Sequence, residues 1–298
     1  MPLVAEPAFN NLLNSRMPAS SLQEVVCCLG QPVAGNPTQY MMEKAFAAAG
    51  LDWRYLTCEV SPEKLGDAMR GIRALGFKGA NFTIPHKVAV IEYLDSLSPA
   101  ATLMGAVNCI HRAQDKLVGE NADGKGFYLS LREVCNPAGL NVTLLGAGGA
   151  ARAIAIELAL EGVADITIVN RSADRGQALV DLLNEKTSAK TTLAPLIGDH
   201  AISPDSAIFI NATSIGLGDD AARVPVSVES LRPDLIVADV VFNPPYTWLL
   251  RTAADRGCRT LDGLGMLVNQ AVICFEIWTG QRPDATIMRD ALEEFLEI

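Results

Sequence analysis

Apolar and polar positions alternate in two distinct rhythms along this chain, and from Glu24 onward the two rhythms take turns. Short continuous apolar runs at residues 25–29, 54–60 and 78–83 predict buried strands. Between them, residues 38–49 and 62–75 carry helical spacing, the second closed by Gly76, and Pro85 stands where a first-turn proline would open another helix. A second series of the same kind begins at Asn141. Strands are expected at residues 142–145, 166–170, 207–211 and 235–241. The helices expected there cover residues 148–160, 174–184 and 246–256. Such alternation predicts parallel sheet covered on both faces. The tail, residues 264–298, carries helical periodicity only and is expected to fold back on the first unit.

The chain has 298 residues, 49% of them hydrophobic, enough for more than one core of ordinary size. The expected fold is therefore α/β with two domains. Residues 1–123 together with 264–298 would form one, and residues 124–263 the other. No apolar run approaches the roughly 18 residues that cross a bilayer. The first 20 residues are broken by Pro2, Pro7 and Pro18, which predicts a loose extension of a cytoplasmic protein with no membrane partner. Seven cysteines without paired metal-type spacing read as reduced thiols, and three histidines leave little material for a metal site or a hydrolytic triad. A net charge of −10 argues against nucleic acid as a partner. Any anionic ligand would need local donors, from particular side chains or helix N-termini. A monomer or a homodimer is expected.

Such a place occurs at Gly146-Ala147-Gly148-Gly149-Ala150, between a predicted strand and a predicted helix. Glycines there let the backbone turn sharply and approach a pyrophosphate, while the helix start offers unpaired N–H groups. The pattern predicts a Rossmann domain binding a nicotinamide dinucleotide, with a ligand-free glycine turn as the competing explanation. The end of the next strand, about 20 residues on, would carry an acid in an NAD site. This chain has Asn170-Arg171-Ser172, with Arg175 close behind. Guanidinium forks and a hydroxyl suit a 2′-phosphate, so the cofactor expected is NADP(H). Solvated surface arginines would also account for the pair.

In the first unit, Asn81-Phe82-Thr83-Ile84-Pro85-His86-Lys87 sets two polar side chains on one side of a strand and a lysine in the first turn of a helix. The helix dipole disfavours a lysine there, which points toward function. Gly105-Ala106-Val107-Asn108 and Asn121-Ala122-Asp123-Gly124 follow, the latter at the join of the two units.

Together with Gly30-Gln31-Pro32-Val33, the glycine loop and Gly263-Leu264-Gly265-Met266-Leu267-Val268-Asn269-Gln270, these ordered blocks resemble the shikimate dehydrogenase family over nearly the whole chain. The resemblance implies an NADP-dependent dehydrogenase that interconverts 3-dehydroshikimate and shikimate, a small ring carboxylate. It makes Lys87 and Asp123 the catalytic pair, and it puts Asn81, Thr83, Asn108 and Gln270 on the substrate. Asn211, Ala212, Thr213, Ser214, Val240, Gly263 and Met266 would border the cofactor. Hydride transfer to a ketone leaves an alkoxide that needs a proton, which a lysine ammonium can donate. A structural ion pair is the alternative for Lys87 and Asp123. Turn-stabilising or backbone-satisfied amides are the alternatives for Asn81, Asn108 and Gln270.

Four positions depart from the family pattern. Asn36 and Thr38 stand where two serines usually take the substrate carboxylate, Ala122 replaces a threonine, and Phe242 a tyrosine. Asn36 and Thr38 keep donor capacity, yet Asn36 before Pro37 also reads as a helix cap. The departures leave open a related ring substrate such as quinate or a substituted analogue. A ligand sensor on the same fold is the non-enzymatic alternative, disfavoured because a sensor needs no proton donor.

Overall fold

The computed structural model describes residues 22–298; the extension expected over residues 1–20 lies outside them. The run Glu24–Gly30 forms β1, whose last five residues are buried, as a continuous apolar strand requires. It is followed by α1 (Thr38–Ala48), β2 (Trp53–Glu59), α2 (Leu65–Ala74), β3 (Gly79–Phe82) and the single turn α3 (His86–Ala89). Then come β4 (Ser96–Leu97), α4 (Pro99–Met104), the hairpin β5 (Cys109–Ala113) and β6 (Lys116–Glu120), and α5 (Asp123–Val134). These strands make one six-stranded sheet in the order β2-β1-β3-β5-β6-β4. The β1–β2 and β1–β3 pairs are parallel, whereas β5 runs antiparallel to both β3 and β6. The outer edge of β2 is partly covered from α1, because Glu43 and Gln39 accept the N–H groups of Tyr55 and Thr57.

The second series gives β7 (Asn141–Leu145), α6 (Gly149–Leu160), β8 (Asp165–Asn170), α7 (Ala173–Lys186), β9 (Lys190–Pro195) and β10 (Ile208–Asn211). It continues with β11 (Ile236–Asp239), α8 (Trp248–Asp255) and β12 (Arg259–Leu261). Its sheet is parallel throughout, ordered β12-β11-β10-β7-β8-β9. Strand order reverses between β7 and β10, and a crevice opens beyond the carboxyl ends of two such strands.

The tail forms α9 (Leu264–Thr279) and α10 (Ala285–Leu296), which return to the first sheet as expected. Phe275 stacks on Phe46 of α1 at 5.2 Å, and the Trp278 indole donates to the Ile110 carbonyl at 2.8 Å. Helix α5 crosses α9 so closely that a Cβ on Gly126 would stand 2.8 Å from the Met266 carbonyl oxygen and from the Gln270 nitrogen. That crossing fixes α9, and with it Gln270, against the helix that begins at Asp123. No helix among the described residues is long and apolar enough to cross a membrane.

The patterning missed elements for identifiable reasons. The short strands β4 and β12 hold too few residues to show a period, and the edge strand β9 alternates weakly, with Lys190 exposed. The hairpin β5–β6 turns through Gln114, which takes a positive φ of 56° without the glycine that usually marks such a turn. The helix expected from Pro62 starts at Leu65, after a tighter turn over Pro62–Lys64.

Candidate active site

Lys87 and Asp123 meet at the join of the two sheets. The Lys87 Nζ donates to Asp123 Oδ2 at 2.6 Å, and the lysine backbone is held by the Val107 N–H, which donates to its carbonyl at 2.7 Å. Asp123 opens α5, where a negative charge suits the helix dipole, and its own N–H is accepted by the Asn121 side chain. Its other oxygen accepts from the Asn108 amide at 2.7 Å, while Asn108 Oδ1 accepts the Ala122 N–H at 2.8 Å. Asn108 thus spans both residues preceding and starting α5. The aspartate side chain is 16% exposed and the lysine side chain 33%, so the ammonium can still exchange protons with solvent.

The pair faces a cavity of about 510 Å³. Asn36, Thr83 and Gln270 also line it, and Val240, Gly263, Met266 and Phe242 close the side toward the second sheet. Among the described residues its only charged side chains are Lys87 and Asp123 themselves. Three residues expected on a substrate stand back from this wall. Asn81 is 6% exposed and its amide is engaged by protein: Oδ1 accepts from the Tyr55 hydroxyl, and Nδ2 donates to the Asn108 carbonyl and the Cys274 sulfur. Asn108 is buried, with its amide committed to Asp123 and Ala122. Thr38 is buried too, and its N–H donates to Asn36 Oδ1 at 2.9 Å. Asn36 therefore holds the first N–H of α1 from one residue outside the cap position, which is Pro37 and not Asn36 as expected, and the same residue reaches the cavity. Gln270 donates to the Leu267 carbonyl from the wall itself.

A second cavity, about 860 Å³, lies beyond the ends of β7 and β10. Gly146, Ala147, Gly148, Gly149 and Ala150 line it on one side, and Asn170, Arg171, Ser172 and Arg175 at one end. Ala212, Thr213, Ser214 and Val240 line it as well. Gly146 has φ +121°, and a Cβ there would stand 2.8 Å from the Ala212 carbonyl oxygen, so this turn requires glycine. Cβ atoms on Gly148 and Gly149 would meet nothing within 4 Å. The backbone at the start of α6 therefore presents an open face, as close approach of a pyrophosphate demands. Among the described residues no acidic side chain pairs with Arg171 or Arg175, and two unneutralised guanidinium groups at the end of β8 fit a 2′-phosphate. Ser172 caps α7, accepting the Arg175 N–H.

Asn211 stands behind this cavity, fully buried. It donates to Asp239 Oδ1 at 2.9 Å and to the Ile215 carbonyl, and accepts the Thr213 hydroxyl at 2.7 Å, so it shapes the wall that Thr213 provides. Burial pushes the Asp239 carboxyl up to about 6, although Val241 N–H, Thr247 hydroxyl and Asn211 amide all donate to it. The apolar rim at Ile84, Leu196 and Leu217 left no mark in the patterning, because these residues carry no polar chemistry and lie in irregular segments. The two cavities share Ala150, Leu217, Val240 and Phe242 as walls. The two volumes therefore adjoin.

A dinucleotide cradle opening onto a lysine–aspartate pair defines a nicotinamide-dependent oxidoreductase that works between a secondary alcohol and a ketone. Family comparisons agree. Residues 28–110 match the shikimate dehydrogenase substrate binding domain, residues 129–215 the shikimate/quinate 5-dehydrogenase model, and residues 263–293 the shikimate 5′-dehydrogenase C-terminal domain. The chain belongs to the shikimate dehydrogenase family. It is 41% identical over 277 residues to the NADP(+) shikimate dehydrogenase of Methanopyrus kandleri, covering 91% of this chain and 96% of that one. Among solved structures, a ligand-free 5-ketofructose reductase from Gluconobacter sp. strain CHM43 superimposes with a TM-score of 0.90 at 48% identity, covering 92% of this chain and 99% of the other. A shikimate dehydrogenase crystallised with NADP+ gives 0.87 at 36%, covering 92% and 96%.

Proposed function

We propose that the protein reversibly reduces a ketone on a small polyhydroxylated substrate with NADPH, Lys87 donating the proton. The observation that carries this reading is the Lys87–Asp123 contact of 2.6 Å, set in a cavity that shares its walls with the dinucleotide cradle. In this reading residues 1–123 and 264–298 serve the substrate and residues 124–263 the cofactor. Arg171, Ser172 and Arg175 take the 2′-phosphate, and the backbone around Gly146 to Ala150 takes the pyrophosphate. The bound cofactor supplies the hydride that reaches the carbonyl carbon. As negative charge grows on the carbonyl oxygen, the Lys87 ammonium gives it a proton, and the neutral amine is recharged from solvent. Asp123 orients the ammonium and stabilises its charge. In the oxidation direction the neutral amine of Lys87 takes the alcohol proton instead.

The family's reaction makes 3-dehydroshikimate the first substrate of this reading. A second reading, an uncharged polyhydroxy ketone, rests on the cavity's own make-up. Among the described residues its two charged side chains neutralise one another and leave no further cation for a substrate carboxylate. Asn36 offers the cavity only the uncharged NH₂ end of its amide, its oxygen being taken by the Thr38 N–H, and Ala122 and Phe242 lack hydroxyls. The 5-ketofructose reductase also shares more identity with this chain than the two shikimate dehydrogenases do. Initial rates of NADPH oxidation with 3-dehydroshikimate and with 5-ketofructose distinguish the two. Turnover of either supports the reaction, the faster one names the substrate class, and turnover of neither contradicts the proposal.

A further inference from the structure

We infer that Tyr55 is a positioning residue for the Lys87–Asp123 pair and that Asn81 serves it as an intermediary. The inference rests on the catalytic reading of that pair. Tyr55 points inward from β2, is fully buried, and leans on Trp278 with ring centroids 6.2 Å apart. Its burial holds the phenol well above its ordinary range, so the hydroxyl remains a proton donor. That hydroxyl donates to Asn81 Oδ1 at 2.8 Å.

The consequence for Asn81 is a single amide orientation. With Oδ1 toward Tyr55, Nδ2 meets two acceptors, the Asn108 carbonyl at 3.0 Å and the Cys274 sulfur at 3.3 Å. The reverse orientation would press an oxygen against the Asn108 carbonyl oxygen, two acceptors without a proton between them. Asn108 is thereby held through its backbone, which also accepts the Phe82 N–H at 2.9 Å. Its side chain then holds Asp123 Oδ1 at 2.7 Å and the Ala122 N–H at 2.8 Å. Asp123 in turn sets the Lys87 ammonium. Tyr55 thus acts on the proton donor through two asparagines, without contact with the cavity, whose lining includes neither Tyr55 nor Asn81. Asn81, on a position the family uses for substrate, here has both its N–H groups and its oxygen engaged by protein.

Steady-state kinetics of Tyr55→Phe, Asn81→Ala and the double variant, with NADPH and whichever of 3-dehydroshikimate or 5-ketofructose the wild type turns over, test this. A positioning role predicts a kcat lower by roughly tenfold in each single variant, since small displacements of reacting groups cost rate. KM for ketone and for NADPH should stay within about twofold, and the double variant should be no slower than the worse single one, because both break one chain. Full kcat in Tyr55→Phe with only a lowered Tm overturns the inference, as does an Asn81→Ala variant whose KM rises while kcat holds. Should Tyr55→Phe fail to fold, the kcat and KM of Asn81→Ala decide alone. Lys87→Met serves as the control. If it abolishes turnover while Tyr55→Phe and Asn81→Ala do nothing, this inference alone is wrong; if it retains turnover, the catalytic reading falls first.

Discussion

Asn36 accepts the N–H of Thr38 at 2.9 Å while lining the cavity beside Lys87, so one side chain both holds the first N–H of α1 and faces that cavity. The two roles use opposite ends of the amide. The carbonyl oxygen belongs to the helix, which leaves the NH₂ group, a donor without charge, for the cavity.

Asn36→Ser separates these roles, because a serine hydroxyl can also cap a helix but offers a different donor. Thermal stability should change little, whereas Asn36→Ala should lose about 1 kcal/mol of stability with the contact to Thr38. The ratio of kcat/KM for 3-dehydroshikimate to that for 5-ketofructose should rise by roughly tenfold in Asn36→Ser, the scale of one altered polar contact. An unchanged ratio would remove Asn36 from substrate choice.

Arg171 stands at the end of β8 with no acidic partner among the described residues, and its charge is therefore available to a phosphate. A hydrogen bond to a charged group contributes about 1.5–3 kcal/mol. Arg171→Ala should accordingly raise the Kd for NADP+ by roughly tenfold to a hundredfold and leave that for NAD+ nearly unaltered. Equal losses for both, read by calorimetric titration, would show that the residue supports the loop and not the 2′-phosphate.

Asp239 gives the molecule a pH dependence of definite sign. Its ordinary value is 3.8, and burial raises it to about 6 in the folded protein. Between those values the folded state keeps a proton that the unfolded chain has released, so this group's contribution to stability falls as pH rises from about 4 to about 6 and is flat above. The loss is on the order of 3 kcal/mol. Asp239→Asn keeps the shape and cannot ionise. Denaturant unfolding across that window should show a shallower decline in the variant than in the wild type. Parallel curves would mean that Asp239 titrates normally.

The cofactor half was more legible in the sequence than the substrate half, and the cause is physical. A dinucleotide cradle is built from consecutive backbone, so Gly146 to Ala150 announces it within one segment, and Arg171 and Arg175 lie at a fixed distance along the chain. The cavity beside Lys87 draws Asn36, Thr83, Asp123 and Gln270 from four separate segments, and Gln270 joins the others only through the return of α9. Polar residues in such blocks look alike on paper. Whether each faces a ligand or another side chain depends on neighbours far along the chain. Asn81 shows this: its partners Tyr55 and Cys274 lie 26 and 193 residues away, and nothing local reveals that its amide is already committed. The resemblance to known enzymes supplied the positions, and packing decided which of them reach the cavity.

Turnover by Lys87→Met, compared with the wild type, tests the account most directly, since methionine keeps much of the length and removes the proton donor. With NADPH and the preferred ketone, kcat should fall by the roughly 10²–10⁴-fold typical of a lost general acid, while the Kd for NADPH, measured separately by fluorescence, stays within about twofold. A variant that reduces the ketone at the wild-type rate would contradict the assignment of Lys87 and leave its 2.6 Å contact with Asp123 as a structural ion pair.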